Sequence, residues 1–143
     1  MAARRQKKSE PSTGDGAPLL LIDAGLAAGW RRAEADLAQL DEVLEAAKAV
    51  VPDQVVMADA SLKWSLPEDQ REQFERYRAT SLVLCAPGGT AGGHYAFLKA
   101  AAHAAADQGR DVYVMSALDL GDGPWRLAML RRPEGRWHVE LSE

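Results

Sequence analysis

One cysteine, Cys85, stands in 143 residues. No disulfide can form within the chain, which fits a reducing cytoplasm, and Cys85 reads as a small buried apolar residue. Long hydrophobic runs are missing too. The first apolar stretch, Leu19 to Ile22, is far too short to cross a membrane, and no apolar run follows the basic start at signal-peptide distance. The expectation is a cytoplasmic protein with no membrane contact. A surplus of positive charge is also lacking: 17 Lys and Arg against 21 Asp and Glu give a formal net charge of −4. Bulk charge therefore does not point to nucleic acid. There is no internal repeat and no heptad array.

What is present suits one globular domain. The chain is 47% hydrophobic and 27% charged, enough for a core and for solubility. The charge is uneven. Residues 1–17 carry Arg4, Arg5, Lys7 and Lys8 against Glu10 and Asp15, among Ser, Gly and Pro. They read as a disordered basic tail, a solubilising terminus or a segment that touches a phosphate backbone. Residues 18–143 are the folded domain.

Within it, short apolar runs alternate with helical patterns. Leu19 to Asp23 and Gln54 to Asp59 are unbroken apolar stretches closed by an aspartate, as expected of strands buried on both faces. Ser81 to Cys85 and Asp111 to Ser116 read as the third and fourth strands. Between them, Leu37, Leu40, Val43, Leu44 and Ala47 form one helical stripe within Asp36 to Val50. Pro67 to Arg78 is a charged helix with Phe74 and Tyr77 inward. His94 to Asp107 is an alanine-rich helix ended by Gly109. This order predicts a parallel sheet flanked by helices. After residue 116, two alternating runs, Trp125 to Met129 and Trp137 to Leu141, flank Pro133-Glu134-Gly135 and predict a C-terminal β-hairpin.

Chemistry in such sheets gathers beyond the carboxyl ends of the strands. Asp23, Asp59, the Gly88 to Gly93 loop and Ser116 to Asp119 fall there. Clustered carboxylates on one rim suit Mg²⁺, an ion that favours oxygen ligands. Each feature also has a plain structural role. Asp23 and Asp59 suit turns and caps, and His94 suits a helix start, a ligand or a phosphate contact. His103 and His138 show no ligand spacing with it. The four tryptophans, Trp30, Trp64, Trp125 and Trp137, suit base stacking or packing, the last two within the hairpin. The glycine loop after the third strand can cradle a phosphate. It lacks both the Gly-Lys-Ser/Thr ending of an NTPase loop and the dinucleotide spacing.

Taken in order, Leu-Leu-Leu-Ile-Asp-Ala (19–24), Val-Val-Met-Ala-Asp-Ala-Ser-Leu (55–62), Ala-Pro-Gly-Gly-Thr (86–90), Val-Tyr-Val-Met-Ser (112–116) and the terminal hairpin resemble the PIN-like nuclease superfamily, in particular the NYN (Zc3h12a-like) ribonuclease type. The resemblance covers about residues 18–141. It implies a PIN-like, Rossmannoid α/β fold and a metal-dependent endoribonuclease with a ring of acids at the sheet's rim. Asp23 matches the acid closing the first strand, and Asp59 the acid after the second. Asp119 would be the third ligand, one place late. Mg²⁺ or Mn²⁺ would be the cofactor. Ser116, Gly89, Thr90 and His94 would meet substrate or orient a water, and Arg126, Arg131, Arg132 and Arg136 would meet phosphates.

The chain departs from the family at two places. Where members carry acids after Pro-Gly-Gly-Thr, it reads Ala91-Gly92-Gly93-His94; where they read Ser-Asn-Asp, it reads Ser116-Ala117-Leu118. The expectation is a degenerate domain, a pseudoenzyme with weak or no catalysis and a weakened site for Mg²⁺ or Mn²⁺, or none, which binds RNA, a protein partner or a second copy of itself. The alternative is an active Mg²⁺-dependent endoribonuclease. A phosphate- or nucleotide-binding protein built on the glycine loop is third.

Overall fold

A computed structural model describes residues 16–86, 93–117 and 120–142. Strand β1 (Leu19–Asp23) is buried at every position. It turns directly into a six-residue helix α1 (Ala24–Gly29), because the Asp23 carboxylate accepts the Gly25 N–H at 3.0 Å and so caps that turn. Helix α2 (Leu37–Lys48) follows. Its cap is Asp36, which accepts from the Ala38 N–H.

Strand β2 (Gln54–Ala58) is succeeded by a single turn, α3 (Leu62–Ser65), and by helix α4 (Arg71–Ala79). A 3-10 turn, Glu68–Gln70, leads into α4 with Pro67 as its cap. Then come β3 (Leu84–Cys85), α5 (Gly93–Asp107) and β4 (Val112–Met115). The chain closes with β5 (Arg126–Arg131) and β6 (His138–Leu141).

The described strands form one six-stranded sheet in the order β3-β2-β1-β4-β5-β6. All pairings from β3 to β5 are parallel, and β5 pairs β6 antiparallel. The α/β fold, the mainly parallel sheet with flanking helices and the C-terminal hairpin are therefore as the sequence pattern predicts. From β1 the chain builds outward through β2 and β3, then crosses back to place β4 on the other side of β1. Order reverses at β1, so a crevice opens above its carboxyl end, which holds Asp23.

Two apolar layers flank the sheet. One packs α1, α2 and Phe74 of α4 on Leu20, Ile22, Val56, Ala128, Leu130 and Val139. The other packs Leu98, Ala102 and Ala105 of α5 on Leu19, Leu21, Met57, Val112 and Val114. Side chains of the central strands alternate between the layers because the pleat has period two. Each fully buried Leu or Ile contributes about 1.5–3 kcal/mol.

Two local features differ from the expectation, and a third is left open by it. Only Leu84 and Cys85 of the third run pair as a strand, since Ser81 has a left-handed φ of 63° and starts the run in a turn. Cys85 is half-buried rather than buried, and burial raises its thiol above the usual range. In β5 the buried phase is Ala128 and Leu130, whereas Leu127 and Met129 are exposed. The larger side chains face out because the layer containing α1 and α2, the one that reaches β5 and β6, accepts the other phase.

At the end of the sheet where β1 begins, Arg110 ties the chain together. Its Nε donates to the Ala17 carbonyl at 2.9 Å, and its guanidinium pairs with Asp53. The opposite rim is left for chemistry.

Candidate functional site

Three side chains meet at the carboxyl ends of β1 and β2. Asp23 is 1% exposed, and its Oδ1 accepts from the Gly25 N–H at 3.0 Å. His94, on the first turn of α5, places Nε2 3.2 Å from the same Oδ1. Its Nδ1 lies 3.7 Å from Asp59 Oδ2. The imidazole thus stands between the two aspartates that the sequence singles out. His94 is itself 9% exposed, and its ring packs on Tyr95 with centroids 4.0 Å apart.

Tyr95 completes the cluster. Burial first, then the nearby Asp23 charge, push its phenol up to about 12, so the hydroxyl stays protonated at any ordinary pH. Asp23 is thereby held by a backbone amide and an imidazole, with the Tyr95 phenol close by. Asp59 is different: its side chain is half exposed. Its Oδ1 accepts from the Ser61 N–H at 2.9 Å, which closes an Asx turn into α3. The Ser61 backbone and side-chain hydrogen bonds, and to a lesser extent the His94 ring, hold its carboxyl below the usual range against the opposing effect of burial. Sequence reasoning named Asp23, Asp59 and His94 but not Tyr95, whose one signal was its place beside His94.

A cavity of about 400 Å³ opens over this cluster, lined by Asp23, Gly25, Leu26, Gly29, Trp30, Arg31, His94, Tyr95 and Ala117. Next to it lies a second of about 340 Å³, lined by Trp30, Arg31, Arg131, Arg132, Pro133 and His138. Trp30 and Arg31 belong to both, so the acidic cluster and the hairpin share a wall.

That wall is built from the end of α1. Buried Gln39 donates to the carbonyls of Ala27 and Trp30, at 3.0 and 3.1 Å, and so satisfies backbone acceptors left open where α1 stops. Trp30 then meets Trp137 edge-on, centroids 5.3 Å apart. Arg31 takes a left-handed φ of 57°, costly for a residue with a Cβ. Its guanidinium lies 4.5 Å from the centre of the Trp30 ring. Across the groove, the Arg132 guanidinium lies 4.2 Å from the centre of the Trp137 ring. Neither arginine has a carboxylate partner among the described residues. Arg131 does, pairing with Glu140 at 3.0 Å.

The hairpin reaches this rim because β5 runs parallel to β4. Arg126 pairs in register with Tyr113, so Arg131 and Arg132, five and six residues later, overshoot the end of β4. Arg126 stays at the start of β5 beside the Tyr113 ring. Arg136 follows the Pro133–Gly135 turn and is exposed. Ser116 follows β4 and is half-buried.

Trp64, 65% exposed, stands near Asp59 on α3 with Lys63 and Arg71 against its ring. Trp125 meets His103 edge-on. Gly89, Thr90 and Asp119, and most of the glycine loop, lie outside the described residues.

The fit of a divalent metal can be judged from the donors. Among the described residues no group of three or more His, Cys, Asp or Glu side chains is arranged to hold an ion. Asp23 Oδ1 is already engaged by the Gly25 amide and the His94 ring, and that ring separates it from Asp59. This donor set does not fit a hydrated Mg²⁺, which needs near-octahedral oxygens. Among the described residues no helix is long and apolar enough to cross a membrane.

Compared with protein-family models, with curated proteins and with solved structures, the chain matches none.

Proposed function

We propose that this chain is a PIN/NYN-like domain whose acidic centre is degenerate, catalytically weak or inactive, and that it works as a module binding single-stranded RNA. The observation that carries this reading is the shared wall: Trp30 and Arg31 line both the acidic cavity and the cationic groove of the hairpin. A flexible polyanion needs cations for its phosphates and flat faces for its bases. Arg31 and Arg132 supply the first, and Trp30 offers the second. The strained backbone at Arg31 adds support, since strain of this kind gathers at functional positions.

The test is fluorescence anisotropy with a labelled single-stranded RNA across a salt series, beside a cleavage assay with Mg²⁺ and Mn²⁺. Binding should weaken with salt and fall about tenfold in Arg31→Ala/Arg132→Ala, as expected when two phosphate-binding cations are removed. Cleavage should not depend on Asp23. RNA affinity unchanged in the double variant would sink the binding reading. Metal-dependent cleavage lost in Asp23→Asn would establish the active endoribonuclease instead.

A second reading is a protein partner or a second copy of this chain. Exposed Leu127 and Met129, 53% and 45% accessible on β5, favour it, because the edge hairpin presents an uncovered apolar stripe. Sedimentation of wild type against Leu127→Asn/Met129→Gln separates the two, as a self-associating protein would become monomeric.

A further inference from the structure

We propose that His94 is a built-in replacement for a divalent ion: its imidazole spaces and holds the Asp23 and Asp59 carboxylates, and thereby closes the place between them to a cation. Oxygens bound to one Mg²⁺ each lie about 2.0–2.1 Å from it. Asp23 Oδ1 and Asp59 Oδ2 instead face opposite nitrogens of one ring, at 3.2 and 3.7 Å, so a whole imidazole stands where a single small ion would have to be. The ring cannot swing away cheaply. It is 9% exposed, packed at a 37° tilt against Tyr95, and anchored on a carboxylate that is itself 1% exposed.

Backbone placement reinforces the block. Asp23 is the last residue of β1 and the cap of α1, so its oxygen is fixed by the Gly25 amide. Asp59 is fixed from the other side by the Ser61 amide. Both acids are positioned by local turns that do not depend on each other. What joins them is the one side chain delivered by α5. In this arrangement the acids are structural partners of a histidine rather than a vacancy awaiting a metal. The inference concerns metal alone and stands or falls independently of RNA binding by the groove.

Mn²⁺ is the probe, titrated into the full chain and followed by paramagnetic broadening of backbone amide signals. In wild type the Gly25 and Ser61 amides, which report on the two carboxylates, should keep their intensity to millimolar Mn²⁺. In His94→Ala, checked for folding by its amide spectrum, the same two signals should broaden at concentrations at least tenfold lower. The gain should vanish in Asp23→Asn/His94→Ala. Asp23-dependent broadening of Gly25 in wild type would overturn the proposal, and so would a folded His94→Ala that gains no binding. Should the alanine variant not fold, His94→Asn is the substitute, a shorter polar side chain that leaves room for the ion; the wild-type titration decides the occlusion in either case.

Discussion

The acidic cluster and the cationic groove share Trp30 and Arg31, yet they use polar side chains in opposite ways. In the cluster the acids are engaged within the chain: Asp23 by the Gly25 amide and the His94 ring, and Asp59 by the Ser61 amide with the His94 ring 3.7 Å away. In the groove, Arg31 and Arg132 rest on tryptophan faces and have no carboxylate partner among the described residues. The difference teaches where binding capacity remains. A buried polar network that is complete rigidifies the fold and has little left to offer a ligand. Cations lying on aromatic rings keep their outward donors free for phosphate.

The strongest way to break the contrast is to remove the centre of the cluster. Asp23→Ala takes away the cap of α1 and leaves the buried His94 ring without its carboxylate partner. The expected loss is about 3 kcal/mol of folding stability, larger than a cap alone because an orphaned buried polar group adds its own penalty. Urea denaturation measures it. Asp23→Asn, which keeps an oxygen for the Gly25 amide, should lose less than half as much. RNA affinity of the folded fraction should barely change, because the groove does not need the carboxylate.

The reciprocal experiment leaves the cluster intact. Arg31→Ala/Arg132→Ala should weaken single-stranded RNA about tenfold, and removing each phosphate-binding cation should reduce the salt slope by about 0.7. Unfolding midpoints should move little. A double variant that loses stability but not RNA would show that both arginines serve packing against Trp30 and Trp137.

The parts of this contrast were unequally legible in the sequence. Buried strands announce themselves, because Leu19 to Ile22 and Val55 to Ala58 have no polar position to hide, and strand-helix alternation implies parallel pairing. The aspartates at the strand ends could be placed on one rim for the same reason. The groove could not be foreseen as a whole. It depends on the parallel register of β5 with β4, which carries Arg131 and Arg132 beyond the rim while Arg126 stays behind, and neighbouring strands do not encode that shift. Apolar alternation in β5 does not say which face is inward, since apolar side chains stand on both: Leu127 and Met129 are exposed while Ala128 and Leu130 are buried. The pairing of His94 with both acids joins residues 71 and 35 positions apart, visible only once α5 is laid across the sheet.

A third, smaller effect sharpens the trade at the shared wall. Arg31 holds a left-handed φ of 57°, which glycine adopts without penalty. Arg31→Gly should therefore raise stability by about 1 kcal/mol while lowering RNA affinity. Calorimetric melts and anisotropy on the same preparation check it. A rise in stability with RNA affinity unchanged would mean that the strain has no bearing on binding.

The smallest effect separates the two regions by pH. The Asp59 carboxyl is held below its ordinary value of 3.8 by Ser61 and then by His94. A depressed carboxylate contributes stability that is complete above its unfolded value and is lost as pH falls through the lower folded value. As pH falls below the ordinary carboxylate range the fold should therefore lose stability, and Asp59→Asn should flatten that decline. Because the side chain is half exposed, water screens the interaction, and the difference should stay under about 1 kcal/mol. Asp36 adds to the decline independently, since Gln70 first, then the Ala38 amide and Arg32, lower its carboxyl against the opposing effect of burial, so Asp36→Asn is the control for a carboxylate outside the cluster. Guanidinium groups do not titrate in that range, so Arg31→Ala/Arg132→Ala should reproduce the wild-type slope. Thermal melts of the four proteins at half-unit pH steps resolve the comparison. A slope altered by the arginine variant but not by Asp59→Asn would mean that the groove, rather than the histidine-bridged acids, couples this rim to acid stability.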